Sequence, residues 1–433
     1  MRVSESGGTA LHHTLRKSRP VGFKFIFSGT VDSGPGLDSR GSERLSSVLM
    51  STDPASLYSR KNPFPAPHLV NRRLSGASSQ KETRHHEISL AGSGLHYEVG
   101  DSLGVFACNE PALVEEILLA IGANGGESVT GTDGAIKTLR EALLHDFIIT
   151  TPSKEFLAAL VAKAGEAVAE LAALTGDAAR KKELEAYLWG REVIDFLLAH
   201  PGLHWSAEEF VKALRKLQPR LYSIASSQKA VGEAVHLTIA TVRYETFGRK
   251  RSGVASTFLA DRTAGGVGVP VFLHTAKHFR LPEDPATPVI MVGPGTGVAP
   301  FRAYLQERKA LGGGGKNWLF FGEQRRDSDF LYGAELEALQ AEGVLTRLDL
   351  AFSRDQEQKV YVQHRMREAS AELYAWLQEG AHFFVCGDGE RMAKDVDAEL
   401  HAIVARESGC SAEAAAEYVE GMKKAKRYKK DVY

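Results

Sequence analysis

The chain has 433 residues, 53 basic against 54 acidic, and a formal net charge of −1. That length exceeds what one hydrophobic core normally supports, so two or three domains are expected. The even charge excludes a general nucleic-acid field. No apolar run approaches the ~18 residues of a membrane helix, and three cysteines without CxxC spacing (Cys108, Cys386, Cys410) exclude a disulfide framework or structural zinc site and point to a reducing cytoplasm.

Residues 1–60 hold twelve Ser, seven Gly and eight Lys/Arg, with five acidic residues. Residues 1–61 are therefore expected to be a disordered extension or the product of a start placed upstream of Met50. The composition suits a transit peptide, but Gly34, Pro35 and Gly36 oppose its amphipathic helix. From Asn62 a Pro-rich lead-in precedes short alternating runs: His85 to Leu90, Leu95 to Val99 and Leu103 to Ala107. They are separated by Gly turns and predict antiparallel strands. His85-His86 lack metal-ligand spacing and are read as strand surface; no metal is expected.

Three- and four-residue apolar spacing predicts helices from Pro111, from Glu155 to Leu174, from Lys182 to Leu198 and from Ala207 to Leu217. Strand patterns return at Arg220 to Ala225, Ala234 to Arg243 and Val267 to His274. After Pro288 strands and helices alternate: Val289 to Val292, Val298 to Leu311, Asn317 to Phe321, Leu331 to Glu342, Thr346 to Ala351, Val362 to Glu379, His382 to Cys386 and Arg391 to Glu407. Such alternation predicts a parallel sheet covered on both faces.

Five segments suggest chemistry. Gly293-Pro294-Gly295-Thr296-Gly297 follows an apolar strand and opens a helix, where free N–H groups favour a diphosphate. It is not the Rossmann fingerprint, since Val298 stands where glycine is required. Ser353-Arg354-Asp355 with Lys359 to Gln363 lies past a strand end, where a guanidinium and an ammonium suit a 2′-phosphate. Arg220-Leu221-Tyr222-Ser223 offers a flat aromatic face, a cation and a hydroxyl. Gly253-Val254-Ala255-Ser256 leads a second helix N-terminus. The chain ends on Asp431-Val432-Tyr433. Each segment alone has an ordinary structural reading: a glycine turn, a solvated loop, a half-buried strand, a Ser N-cap or a frayed end.

In this order, together with Asn317 to Gly322, Val385 to Asp388 and Met392 to Val396, the motifs resemble the ferredoxin–NADP reductase superfamily. Within it they resemble the flavoprotein (alpha) components of NADPH-dependent assimilatory sulfite reductase, over residues 62–433. The resemblance implies an α+β and α/β multidomain fold: an antiparallel β-barrel FAD domain at 62–284, interrupted by a helical insert at about 111–215, then a parallel-sheet α/β NADP-binding domain at 285–433. Members normally carry an FMN-binding domain ahead of this region, and sixty residues are too few for one. The sequence is therefore read as the FAD/NADPH module alone. A smaller departure is Gly253-Val254-Ala255-Ser256, where relatives often have a second Gly or a Cys.

The resemblance implies an NADPH-oxidising FAD enzyme. Tyr222 and Tyr433 would flank the flavin ring. Arg220 and Gly253 to Ser256 (including Val254 and Ala255) would meet the FAD diphosphate, and Leu221 is a further cofactor contact. Thr238, Ile239, Ala240 and Tyr244 would meet its adenosine end, with Thr150 a further contact from the insert. Gly295, Thr296 and Gly297 would approach the NADPH diphosphate; Ser353, Arg354, Lys359, Val360, Tyr361, Val362 and Gln363, with Asp395, would hold its 2′-phosphate and adenine. Ser223, Cys386, Asp431 and Tyr433 would surround hydride transfer. The implied partner is a separate electron acceptor, a sulfite reductase hemoprotein or a flavodoxin-like FMN protein. A free-standing flavodoxin or ferredoxin reductase and a non-catalytic nucleotide-binding subunit are the alternatives. The basic run Lys423 to Lys430 is read as a solvated helix end.

Overall fold

A computed structural model describes residues 57–263 and 268–433. The expected N-terminal extension up to residue 56, and Val267 of the predicted Val267 to His274 run, lie outside the described residues.

The alternating runs of the first part build two antiparallel sheets. One has the order Phe64–Ala66, Val269–His274, Ser102–Val105, Arg220–Ser223. The other has the order Ala234–Thr241, Glu82–Ser89, His68–Arg73. A lone bridge, Ile224 to Leu237, connects them. Their inward residues, among them Ile88, Leu103, Val105, Val235, Leu237 and Val271, form one core. The predicted strand Leu95 to Val99 does not form. Its alternate residues Leu95, Tyr97 and Val99 are buried as the period requires, but the Tyr97 N–H bonds the Gln228 side chain instead of a neighbouring strand. Alternation reports which side faces the core, not whether a ladder partner exists.

The insert folds around its own core. Phe156 stacks on Trp205 with ring centroids 5.6 Å apart, and Phe196 and Phe210 meet Phe156 edge-on. The predicted helix from Lys182 to Leu198 is broken into Lys181–Leu188 and Val193–Ala199. Gly190 between them takes a φ of +74°, the left-handed region that ends helices. The predicted Ala207 to Leu217 helix stops at Lys212, because Arg215–Lys216 pairs with Phe147–Ile148.

The last part is a five-stranded parallel sheet ordered Arg347–Phe352, Asn317–Glu323, Val289–Val292, His382–Gly387, Tyr428–Val432. Period-two alternation divides its residues between two cores. Ile290, Val292, Trp318, Phe320, Phe383 and Val385 face one set of helices. Val289, Met291, Leu319, Phe321, Phe384 and Cys386 face the other, with Phe301, Tyr304 and Phe279. Helix Ala412–Lys424 and the edge strand Tyr428–Val432 were not predicted. The solvated helix end expected at Lys423 to Lys430 is thus partly a strand, whose Lys and Asp residues hide it from a hydropathy pattern.

The antiparallel and parallel parts meet through buried polar groups. The Tyr332 hydroxyl lies 2.7 Å from Thr238 Oγ1 and 2.9 Å from His85 Nδ1. Arg302 covers the Tyr332 ring at 4.7 Å, bonds the Ala225 carbonyl at 2.7 Å and pairs with Glu335 at 2.9 Å. His85 and His86 are therefore buried, not surface residues. His85, Glu87 and His236 bring ligand-type atoms within 4.8 Å of one another, yet their protons are committed. Arg302 donates to His236 Nδ1 at 3.3 Å, which leaves the proton on Nε2, facing Glu87. His85 Nε2 bonds Glu87 at 3.0 Å.

Burial and the nearby Arg302 cation lower His85 and His236 to about 4, and burial lowers His86 to about 3. An unfolded histidine titrates near ~6.5, so between pH 6.5 and 4 the unfolded chain takes up protons that the folded chain refuses. Denaturation should show stability falling as pH drops through this window, and His85→Gln with His236→Gln should flatten the slope. Tyr332→Phe, which strands Thr238 and His85, should cost roughly 1–3 kcal/mol in the same measurement.

Candidate functional site

In chain order the five parallel strands run 3-2-1-4-5, so the connections diverge between Val289–Val292 and His382–Gly387. Crevices outside the carboxyl ends of such strands bind ligands, and two glycine segments meet there. Gly295 takes a φ of +59°. A Cβ on Gly297 would lie 2.3 Å from the Cys386 carbonyl oxygen. Only glycine allows the turn Gly295–Val298 to lie directly on strand His382–Gly387. Helix Ala299–Ala310 continues from that turn, so the first N–H groups point out of the crevice edge. On the other side Asp388 caps helix Met392–Ser408, accepting from the N–H groups of Arg391 (2.7 Å) and Met392 (3.0 Å), and these bonds hold its carboxyl below the usual range.

The four residues expected around hydride transfer come together. Ser223, on the antiparallel sheet, donates to Asp431 Oδ2 at 3.0 Å, on the last parallel strand. Asp431 is the register partner of Cys386. Full burial and the Asp431 carboxylate push the Cys386 thiol up, so it stays protonated. Tyr433 is pinned by its N–H to the Gly387 carbonyl at 3.0 Å, and its hydroxyl lies 2.7 Å from Thr296 Oγ1. As a whole the terminal residue is 66% exposed, while burial around the hydroxyl pushes its pKa up. Tyr222 precedes Ser223, and burial pushes its hydroxyl up to about 12. The Ser223–Asp431 bond thus brings the strand of Tyr222 against the strand Tyr428–Val432 that Tyr433 follows.

The antiparallel part supplies a second helix start. Gly253 precedes helix Val254–Thr257, which continues as a wider π turn over Phe258–Arg262. A Cβ on Gly253 would lie 2.8 Å from both Ser256 Oγ and Val242 Cβ. Ser256 and Thr257 turn their hydroxyls back to the Gly253 carbonyl at 3.2 and 2.9 Å, while Ala255 is buried. Arg220 and Leu221 are exposed on the edge strand of their sheet, and Arg220 has no ion-pair partner among the described residues. Ala240 and Tyr244 are exposed, Ile239 is buried, and the buried Thr238 spends its hydroxyl on Tyr332. Thr150 lines a small cleft with Glu192, Arg251 and Thr257, and its carbonyl accepts from Val193.

The segment past strand Arg347–Phe352 is open. Ser353 bonds the Glu323 carbonyl, and Arg354 and Lys359 have no carboxylate partner among the described residues. Tyr361 is exposed; Val360 is half-buried and Val362 buried. Gln363 donates to Asp395 Oδ2 at 3.2 Å, joining two residues 32 positions apart. Sequence reasoning missed the loop before strand Glu82–Ser89. Gln80 accepts from Arg354 at 2.6 Å, and Lys81 pairs with the buried Glu323 at 2.6 Å. No local signal marks that loop, since its partners lie some 240 or more residues away.

Free helix-start N–H groups, unpaired cations and glycines that admit a close backbone approach fit the diphosphates of two nucleotides. Comparison with known proteins agrees. Residues 57–258 match the family described as FAD binding domain, and residues 291–398 the oxidoreductase NAD-binding domain. The chain is similar to sulfite reductase [NADPH] flavoprotein alpha-components. The protein from Bacillus subtilis is 48% identical over 87% of this chain and 62% of its own length. One from Vibrio cholerae is 47% identical over 87% of this chain and 60% of its own length. One from Escherichia coli is 45% identical over 87% and 62%. The chain thus spans about three fifths of the curated relatives it matches.

Gly297→Ala should displace the turn from Cys386 and destabilise the protein by roughly 1–3 kcal/mol, read by thermal unfolding. Gly312→Ala, where a side chain would meet open space, should cost less despite its positive φ.

Proposed function

We propose, from the chain's similarity to sulfite reductase [NADPH] flavoprotein alpha-components and its matches to the FAD-binding and NAD-binding families, that it takes a hydride from NADPH onto FAD and supplies the electrons to sulfite reduction. The Ser223–Asp431 bond carries this reading, because it joins a strand of the FAD-binding match to the sheet of the NAD-binding match, beside the Gly295–Gly297 turn and Tyr433. FAD-binding residues 62–284 and NADP-binding residues 285–433 are read as the two functional lobes, with residues 111–215 as the insert. The two antiparallel sheets, tied through Ile224 and Leu237, are read as two halves of one flattened barrel.

FAD, when bound, supplies the chemistry that accepts a two-electron hydride and releases single electrons. The chain supplies position and charge. Arg220 and the N–H groups from Gly253 to Ser256 would hold the FAD diphosphate, Tyr222 would face the ring, and Leu221, Ile239, Ala240, Tyr244 and Thr150 would surround the rest. Thr238 belongs to this group only through the strand it shares, since its hydroxyl is spent. Gly295 to Gly297 would receive the NADPH diphosphate. Ser353, Arg354, Lys359 and Tyr361 would hold the 2′-phosphate and adenine, with Val360, Val362, Gln363 and Asp395 shaping that edge.

Ser223 gives its proton to Asp431, so its oxygen is left as an acceptor toward the crevice. The Asp431 carboxylate places negative charge where a nicotinamide becomes positive. Cys386, protonated and enclosed, contributes shape. Tyr433 covers the crevice and would swing out by breaking its single hydroxyl contact with Thr296. The acceptor would be a sulfite reductase hemoprotein, reached directly or through an FMN-binding protein or domain.

Purified protein should be yellow and bleach under anaerobic NADPH. Arg354→Ala with Lys359→Ala should lower kcat/KM for NADPH by about a hundredfold while leaving NADH nearly unchanged; an equal loss with both nucleotides would refute the 2′-phosphate assignment. Tyr433→Ala should raise activity with NADH, since the nicotinamide no longer displaces a ring. Electron delivery to a sulfite reductase hemoprotein, with and without an FMN protein, tests the acceptor.

A further inference from the structure

A second cleft, of about 1170 Å³, opens at the amino ends of the parallel strands, at the far end of the sheet from Gly297 and Tyr433. Residues 280–287, which link the antiparallel part to the first parallel strand, form one wall. Four cations line it without any carboxylate partner among the described residues: Lys277, Arg308, Lys426 and Lys429.

Two are hydrogen-bonded only to main-chain carbonyls, and Lys429 also lies 5.2 Å from the centre of the Phe384 ring. Arg308 is 2% exposed; its Nη2 donates to the Thr287 carbonyl at 2.7 Å, and its Nη1 is buried with no hydrogen-bond partner among the described residues. Lys429 donates to the Arg280 carbonyl at 2.6 Å. His382, at the start of the central strand, likewise has a buried Nδ1 without a partner. The acidic residues of the cleft do not answer this charge. Glu98 is paired with Arg280 and Glu307 with Lys229. Asp284 accepts from the Ala286 N–H of its own loop, and Glu283 is exposed on the rim. The Asp284 carboxylate acts on Arg308 through space without bonding it, and a buried guanidinium with one nitrogen left unbonded is costly unless an anion completes it. Burial first, then Lys429, Arg427 and Arg308, keep His382 neutral, lowered to about 4, so its unpartnered ring nitrogen accepts from or donates to a bound group without adding charge.

We infer that this cleft binds a dianionic phosphate or sulfate group, with Arg308 and Lys429 at its base and Lys277 and Lys426 at its mouth. The volume leaves room for an organic body behind the anion, so the oxyanion is free or is carried as an ester. The site is separate from the nucleotide crevice and owes nothing to the reading of that crevice.

Calorimetric titration of the full chain, loaded with FAD and saturated with NADP⁺ so that Arg354 and Lys359 are occupied, decides it. The probes are inorganic phosphate, inorganic sulfate and adenosine 5′-phosphate, each against sodium chloride of equal ionic strength. Saturable binding of one or more of the three is expected, weakened about tenfold by Lys429→Gln and by Lys277→Gln with Lys426→Gln. The double variant changes only the cleft mouth and keeps the test valid if Lys429→Gln unfolds. Tighter binding of the nucleotide assigns an ester as the ligand, and equal or tighter binding of the inorganic ions assigns a free oxyanion. No saturable heat, a response matched by sodium chloride, or unchanged affinity in the folded variants overturns the site.

Discussion

One hydrogen bond, from Ser223 to Asp431, sets the relation on which the crevice depends. Ser223 ends a strand of the antiparallel sheet, and Asp431 lies on the outermost parallel strand. Two sheets with separate cores have no reason to meet at a polar seam unless that seam is fully bonded, because a buried unpaired hydroxyl or carboxylate costs more than the bond returns. The seam continues through Thr238, Tyr332, Arg302 and Glu335, so the lobes are held by groups that tolerate no slippage. Apolar packing between Phe279 and Phe301, Tyr304 and Phe384 adds bulk to this junction without specifying its register.

Within that frame, the crevice is made more by backbone than by side chains. Gly297 rests on the Cys386 carbonyl, Gly387 takes a φ of +117°, and Tyr433 is bonded through its main chain to Gly387. Rigid glycine contacts on one side and a lightly held terminal ring on the other divide the labour. The first preserves the shape that a diphosphate needs, and the second permits exchange. Cys386 fits the same division, since full burial and the neighbouring Asp431 carboxylate hold its thiol pKa up.

The cation distribution follows a similar logic. Arg354 faces the neutral amide of Gln80, and Lys359 faces solvent, so both are available to an incoming anion. Lys81 is instead committed to Glu323, beside Gly295. Available cations mark both ends of the parallel sheet, and most other arginines in the fold are tied to carboxylates or carbonyls.

Much of this was readable from the residues in order. Period-two and period-3.6 patterns located most strands and helices, because burial of one face acts locally. The motifs were legible because glycine before a helix start and a cation past a strand end are local necessities of phosphate recognition. Leu95 to Val99 misled, since a burial pattern carries no information about a ladder partner, and the edge strand Tyr428–Val432 was hidden by its own lysines. His85 was misplaced on the surface because the Tyr332 that buries it lies 247 residues away, and His86 because it turns to the opposite face, against His68 of the neighbouring strand. Sequence order alone thus determined the kinds of element and the chemistry of each segment. Only tertiary structure decided that Gln80 meets Arg354, that Gln363 meets Asp395 and that Ser223 meets Asp431, because such contacts depend on how two separately cored sheets dock, and no short-range pattern encodes that.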